Sequence, residues 1–261
     1  MSYNTLLTSL TDGVFNITMN RPDVFNACNE ELTLELQSAF GEASVNDAVR
    51  SVVLTGAGKA FCSGQDLKDA PSGGGKRSLQ DSLERRYNPI IRAIRDLPKP
   101  VIAGINGVAA GAGLSLALAC DMRIMSSSAR LVEAFIGIAL VPDSGATYWY
   151  PRMLGYAKAF EFATLNKPLS ADDALQLGLV NHVFHPQAFK DSLDAIALQY
   201  AQGPTQSYGF VKKMLQAGMT ATLDEMLDME VDYQQRAGNS ADYTEGVSAF
   251  IEKRKPKFSG K

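Results

Sequence analysis

The chain has 261 residues, of which 46% are apolar and 20% charged, with a net charge of −3. That length and apolar content suit one large domain, or a large one with a small appendage, and the charge argues against a general nucleic-acid binder. No apolar run reaches the ~18–20 residues of a membrane span, and the opening MSYNTLLTSLTDG lacks the basic-then-apolar pattern of a secretion signal, so a cytoplasmic protein with no membrane partner is expected. Cys28, Cys62 and Cys120 lack metal-ligand spacing and fit free thiols in a reducing compartment. The histidines, His182 and His185, flank an apolar run and read as structural. A histidine triad or metal site therefore has little support, and no metal is expected.

Residues 14–20 alternate apolar and polar and predict a strand, which Arg21-Pro22-Asp23 breaks. Asn29 is placed to cap a helix with an approximate apolar face of Leu32, Leu34, Leu36 and Phe40. Val49–Thr55 reads as a short buried strand running into a glycine-rich loop, 56–66. Gly58-Lys59 is not a P-loop, because Val53 stands where its first glycine belongs and Ala60 where Ser or Thr should follow the lysine. Residues 70–78, APSGGGKRS, predict a mobile loop near the site, and 79–96 a helix ending at Leu97-Pro-Lys-Pro100.

Residues 100–149 carry the strongest candidate chemistry. An apolar strand-like run, Val101–Ile105, leads into the small residues of 107–113 and then an apolar helix over 114–120. Small residues before a helix let a ligand approach free backbone N–H groups. Asp143 then stands alone between Pro142 and Ser144. An anion-binding backbone plus one carboxylate suggests proton transfer beside a carbonyl. A tight helix–strand junction with a turn aspartate fits the same pattern. Gly111-Ala-Gly113 is not a dinucleotide fingerprint, since Leu116 replaces its third glycine.

Further on, 151–165 predicts a helix, Ser170 with Asp173 a helix cap, and 178–184 a strand. From Gln187 the pattern is mainly helical, with breaks at Gly203-Pro204 and Gly238-Asn239. Strands alternating with helices, then helices alone, give an α/β core with a helical C-terminal part.

Asn20-Arg-Pro22 with Asn26-Ala27, Leu54–Gly58, Ala60–Asp66, Lys99–Gly107, Gly111–Gly113, Asp121 and Pro142–Pro151 together resemble the crotonase (enoyl-CoA hydratase/isomerase) superfamily along the whole chain. The resemblance implies a spiral of ββα units, with residues 1–200 as an acyl-CoA-binding core and 201–261 as a helical trimerisation region. It also implies an acyl-CoA thioester substrate, a homotrimer or a hexamer of two trimers, and no cofactor beyond the coenzyme A of the substrate. The oxyanion hole maps onto the N–H groups of Gln65 and Ala112, flanked by Gly111. Val24, Ala27, Ala60, Ser63, Gly64, Asp66, Leu67 and Lys68 would border the coenzyme A. The basic run Lys253–Lys257 fits either a contact to its phosphates or a solvated tail.

Hydratases of this family use two glutamates, and this sequence has Ser115 and Phe135 in their places. Glu133 is expected to point away or lie off-register. Isomerases of dienoyl-CoA or ring-epoxide CoA esters instead place an aspartate directly after the proline, where Asp143 stands. The implied activity is conversion of 1,2-epoxyphenylacetyl-CoA to oxepin-CoA, or a 3- to 2-enoyl-CoA shift, in phenylacetate or fatty-acid catabolism. Asp143 would be the base, with Phe135 drying the acyl pocket. A hydratase and a non-catalytic acyl-CoA binder are the alternatives. A dehalogenase has less support, since Tyr148 and Trp149 read as core.

Overall fold

Strands that bury apolar residues on both faces need cover on both sides, and the chain order supplies it. The computed structural model describes residues 3–69 and 78–261. Its strands are β1 (Leu6–Thr11), β2 (Val14–Met19), β3 (Ser51–Gly56), β4 (Ala60–Cys62), β5 (Val101–Ile105), β6 (Val108–Ala110), β7 (Met122–Ser126), β8 (Arg130–Val132), β9 (Leu169–Ser170) and β10 (His182–Phe184). One sheet has the order β1-β2-β3-β5-β7-β10 and the other β4-β6-β8-β9. The helices are α1 (Glu30–Val45), α2 (Leu79–Ser82), α3 (Asn88–Asp96), α4 (Ala112–Ala119), α5 (Ala146–Leu154), α6 (Tyr156–Leu165), α7 (Ala171–Gln176), α8 (Pro186–Ala201), α9 (Thr205–Ala217), α10 (Leu223–Gly238) and α11 (Ala241–Ile251).

The pairs β3-β4, β5-β6 and β7-β8 each place one strand in the larger sheet and a short one in the smaller, and a helix follows. This repeat is the crotonase spiral. Within it the side chains alternate. Val52, Leu54, Val101, Ala103 and Ile105 enter the main core, whereas Val53, Ile102 and Ile124 meet Phe189, Leu193 and Ala197 of α8 on the other face. Helix α4 is buried at all eight residues, which explains its uniformly apolar sequence. Asp121 anchors the C-terminal helices to this core by accepting from Lys212 of α9 at 2.8 Å and from Arg95 at 3.3 Å. Arg50 also reaches across, donating to the Gly203 carbonyl at 2.6 Å.

Several expectations hold. Asn29 caps α1 by accepting from Leu32 N–H at 2.9 Å, and Ser170 with Asp173 forms a reciprocal capping box. The three thiols are free and buried. Others need correction. Strand β1 was not foreseen, since its outer face is largely exposed and its alternation correspondingly weak. The helix expected over 79–96 contains a wide π-helical turn at Leu83–Tyr87. The helix expected over 151–165 is two: α5 starts at Ala146, tolerates Pro151, and ends at Gly155. The strand expected over 178–184 shrinks to β10, because Gly178 turns the chain at φ 72°. A further break between α9 and α10 is marked by the Thr222–Glu225 capping box. The loop expected over 70–78 lies outside the described residues except for Ser78, which caps α2.

The corner between β5 and β6 passes directly against β4. A Cβ on Gly107 would lie 2.0 Å from the Lys59 carbonyl oxygen. Gly107→Ala is expected to destabilise the fold by at least ~2 kcal/mol, read as a lowered urea midpoint, because backbone atoms must move to admit the methyl.

Candidate active site

Backbone pairing turns the 62–66 segment toward α4. Cys28 N–H donates to the Gly64 carbonyl at 2.7 Å, and Asp66 N–H donates to the Cys28 carbonyl at 3.0 Å. In this parallel bridge Cys28 takes both bonds, so the N–H of Gln65 points the other way. Gly64 has φ 95°, and a Cβ there would stand 2.9 Å from the Ala110 carbonyl oxygen and 3.6 Å from the Ala112 nitrogen. The two loops are therefore in backbone contact. Gly111, at φ 51°, enters α4 and leaves Ala112 as its first residue, whose N–H has no intrahelical acceptor. Among the described residues neither Gln65 N–H nor Ala112 N–H donates to a protein group. Two free amides and a helix N-terminus thus lie on segments in backbone contact.

The Gln65 side chain is clamped at both ends. Tyr87 Oη donates to Gln65 Oε1 at 2.6 Å, and Gln65 Nε2 donates to the Asp66 carbonyl at 3.0 Å. Tyr87 closes the π-helical turn, is buried, and has its hydroxyl held protonated by burial and by the charges around it, Asp143 among them. Asp66 pairs with Arg21 at 2.9 Å. Burial alone would raise the Asp66 pKa, but Arg21 and the Lys68 amide together bring it below the usual range. Buried Asn26 ties the neighbouring segments together by donating to the carbonyls of Ala57 at 2.9 Å and Ala60 at 2.8 Å. Ser63 Oγ donates to the Val24 carbonyl at 3.3 Å. Val24, Ala27, Ala60, Ser63, Gly64 and Asp66 are thus linked in one wall, while Leu67 and Lys68 project from its rim.

Asp143 approaches from the segment before α5. Ser144 at φ 53° and Gly145 at φ 86° turn the chain sharply. The Asp143 carbonyl is gripped by Ser115 Oγ at 3.0 Å and by Ala146 N–H at 3.0 Å. Its carboxylate accepts from Ser144 Oγ at 2.7 Å. Burial raises the Asp143 pKa, and the Ser144 hydrogen bond only partly offsets that. Phe135 packs beside the α4 N-terminus, its ring 3.8 Å from where a Cβ on Gly111 would stand.

Glu133, expected to point away from the site or lie off-register, is enclosed in the interior. It is fully buried, and neither carboxylate oxygen has a hydrogen-bond partner. The Ile136 and Phe135 amides lie near enough to favour its charge, without forming hydrogen bonds. Burial, joined by the charge of Asp143, pushes its pKa to about 7. Tyr150 on α5 is equally buried, its hydroxyl also lacks a partner, and burial together with the Glu133 and Asp143 charges keeps it protonated. The contact of Tyr87 with Gln65 and the burial of Tyr150 were not foreseen from sequence, and nothing in the sequence marks a π-helical turn.

Other candidates lie elsewhere. His182 and His185 are exposed. Arg254 of the basic tail is held by Glu245 and Glu252. Trp149 is buried but Tyr148 is partly exposed, and both line a cavity of about 880 Å³ between α5 and α9 whose lining omits Asp143, Gln65 and Ala112. Among the described residues no group of three or more His, Cys, Asp or Glu could hold a metal, and no helix is long and apolar enough to cross a membrane.

Two free backbone amides on touching loops and a half-buried aspartate stand on a ββα spiral. The chain belongs to the enoyl-CoA hydratase/isomerase family, whose sequence model matches residues 9–261. It is 43% identical to 1,2-epoxyphenylacetyl-CoA isomerase of Escherichia coli K12, over 98% of each chain. It is 42% identical to a probable enoyl-CoA hydratase of Rhodobacter capsulatus, over 100% of each. A crystal structure of an enoyl-CoA hydratase/isomerase from Mycobacterium abscessus superposes with a TM-score of 0.91 at 36% identity, covering 98% of this chain and 100% of that one.

The raised Glu133 pKa has a measurable consequence for stability. The folded state favours the protonated acid, so this contribution is complete below about pH 4.5 and declines as pH rises towards 7. Glu133→Gln should therefore gain stability relative to wild type between pH 5 and pH 8, by at most roughly 3 kcal/mol. Urea unfolding at the two pH values measures it, and an unchanged difference would contradict the burial.

Proposed function

We propose that this enzyme is an acyl-CoA isomerase that works with one aspartate base. The observation carrying the reading is Asp143, half-buried and tied through its carbonyl to Ser115 of α4, the helix that opens on the free Ala112 amide, while Ser115 and Phe135 occupy the places of the hydratase glutamates. The Gln65 and Ala112 N–H groups hold the thioester oxygen. Asp143 takes a proton from C2, and the negative charge spreads into a dienolate whose oxygen the two amides stabilise by several kcal/mol. The protonated aspartic acid returns the proton at C4, and a 3-enoyl-CoA becomes a 2-enoyl-CoA. For a ring-epoxide ester such as 1,2-epoxyphenylacetyl-CoA, the same dienolate charge assists epoxide opening and ring expansion to the oxepin. The name of the E. coli relative supports that substrate.

The wall from Val24 to Lys68 borders the coenzyme A, and Gly111 and Phe135 shape the acyl end. We assign residues 1–200 to this acyl-CoA-binding core and 201–261 to self-association as a trimer or a hexamer of two trimers. Exposed Leu215, Leu223 and Val231 on α9 and α10 support a covered face. Sedimentation should give three or six times 28.1 kDa, and a 28.1 kDa species would contradict the assignment.

Incubation with a 3-enoyl-CoA in deuterated water tests the mechanism. Wild type should form 2-enoyl-CoA and exchange the C2 proton. Asp143→Asn should lose both by about 10²–10⁴-fold and still bind CoA esters. Near-normal turnover of the variant would remove Asp143 as the base. Because burial raises the Asp143 pKa, activity should fall on the acid side with a midpoint above the ordinary aspartate value near 3.8.

Glu133 favours a second reading. A buried carboxylate close enough to feel the Asp143 charge supplies two acids, as water addition requires. A hydratase would place solvent oxygen-18 in a 3-hydroxyacyl-CoA, whereas an isomerase would not.

A further inference from the structure

A backbone donor stabilises a developing charge only if it is fixed before the reaction begins, so whatever fixes Gln65 matters to its chemistry. Residues on either side of it are held by the bridge to Cys28 and by the Arg21–Asp66 pair. Among the described residues, the group outside that loop that bonds the Gln65 side chain is Tyr87. Its buried hydroxyl donates to Gln65 Oε1 at 2.6 Å, and Gln65 Nε2 carries the restraint on to the Asp66 carbonyl at 3.0 Å. The side-chain amide fits only this way round, since a flip would set Oε1 against the Asp66 carbonyl, acceptor against acceptor. Gln65, unlike Tyr87, is partly open to solvent, so a ligand can reach its loop. Tyr87 stands at the end of the π-helical turn Leu83–Tyr87, which Asn88 N–H closes on the Leu83 carbonyl. Such wide turns are rare and gather at functional sites. Helix α1 supports this one from outside. Gln37 Nε2 donates to the carbonyls of Arg85 at 2.9 Å and Arg86 at 3.1 Å, and Arg86 Nε donates to Thr33 Oγ1 at 3.0 Å. A line of contacts thus runs from α1 through the wide turn to the 64–66 loop.

We propose that Tyr87 is a positioning residue for the reaction: by gripping the Gln65 side chain it holds the 64–66 backbone where the Gln65 N–H meets the thioester oxygen. This rests on the acyl-CoA reading of the site and adds to it a residue that touches no substrate. Loss of the hydroxyl leaves Gln65 Oε1 without its donor, and the side chain then no longer ties the loop to the wide turn. The thioester carbonyl is polarised less, while the groups that bind the rest of the CoA ester stay in place. Turnover therefore falls with little change in KM, as for an interaction that strengthens in the transition state.

Two readouts on the full chain test this. The first is the carbonyl stretch of hexanoyl-CoA labelled with carbon-13 at the thioester carbon, a saturated ester with no double bond to move, recorded by infrared difference spectroscopy. Bound to wild type, the stretch should drop below its value in water, and in Tyr87→Phe it should return part of the way. The second is turnover of a 3-enoyl-CoA, in which Tyr87→Phe should lower kcat about tenfold or more at nearly unchanged KM. Gln65→Leu keeps the main-chain donor, removes the acceptor, and should lower kcat by a similar factor. Adding Tyr87→Phe to it should then lower kcat no further, because the hydroxyl acts through that acceptor. A full carbonyl shift in Tyr87→Phe, or losses that multiply in the double variant, would overturn the proposal, since a hydroxyl that serves stability alone lowers the urea midpoint and leaves the carbonyl shift as it was. The absence of any shift in wild type would overturn it together with the oxyanion site, a failure distinct from the first. The carbonyl shift needs no turnover, so it stands apart from any failure of Asp143 as the base.

Discussion

The site depends on one constraint: two stretches of backbone must touch with no side chain between them. The 62–64 segment lies against 110–113, and glycine stands at the contacts. A Cβ on Gly113 would fall 2.3 Å from the Cys62 carbonyl oxygen, and one on Gly64 would fall 2.9 Å from that of Ala110. This closeness sets the loop that carries the free Gln65 amide against the helix start that carries the free Ala112 amide. Neither donor is a side chain, so alanine in place of glycine at 112 costs nothing in hydrogen bonding. What cannot change is the spacing of the two chains, since fixed donors act through preorganisation and a shift of about 1 Å can cost two orders of magnitude in rate.

The remaining chemistry follows from what surrounds those amides. Ser115 stands where a hydratase glutamate would be and instead grips the carbonyl of Asp143. A serine there clips the main chain of Asp143, the base in the proposed mechanism. Phe135 fills the other glutamate place with an apolar ring, and burial raises the pKa of Asp143. The left-handed residues Ser144 and Gly145 let the chain turn straight from Asp143 into α5. The base is consequently held through its main chain while its carboxylate stays half-open.

Much of this was legible in the sequence because it lives in local pattern. Alternation marked β2, a short apolar run marked β3, small residues marked the α4 N-terminus, and Ser170-Asp173 marked a cap. The unread parts depend on contacts between distant segments. Glu133 looks like one charge in an apolar stretch, and its burial beside Asp143 appears only once β8 pairs with β6. Tyr87 reaches Gln65 because a π-helical turn rotates it there, and no residue in Leu83–Tyr87 announces that turn. Pro151 suggested a helix start, yet the helix runs through it from Ala146, since a proline in the second turn displaces only one backbone donor and packing of Trp149 and Tyr150 holds the rest.

Glu133 and Tyr150 are also the point at which stability and function pull apart. A leucine and a phenylalanine in their places would fill similar volumes without unpaired polar atoms, and a fold selected for stability alone has no use for the pair. Both side chains are enclosed, and both lie within the electrostatic reach of Asp143. Burial favours the neutral form of Glu133 and raises the pKa of Asp143 as well, so the two carboxyl groups share one dry interior in which a second ionised carboxylate is opposed.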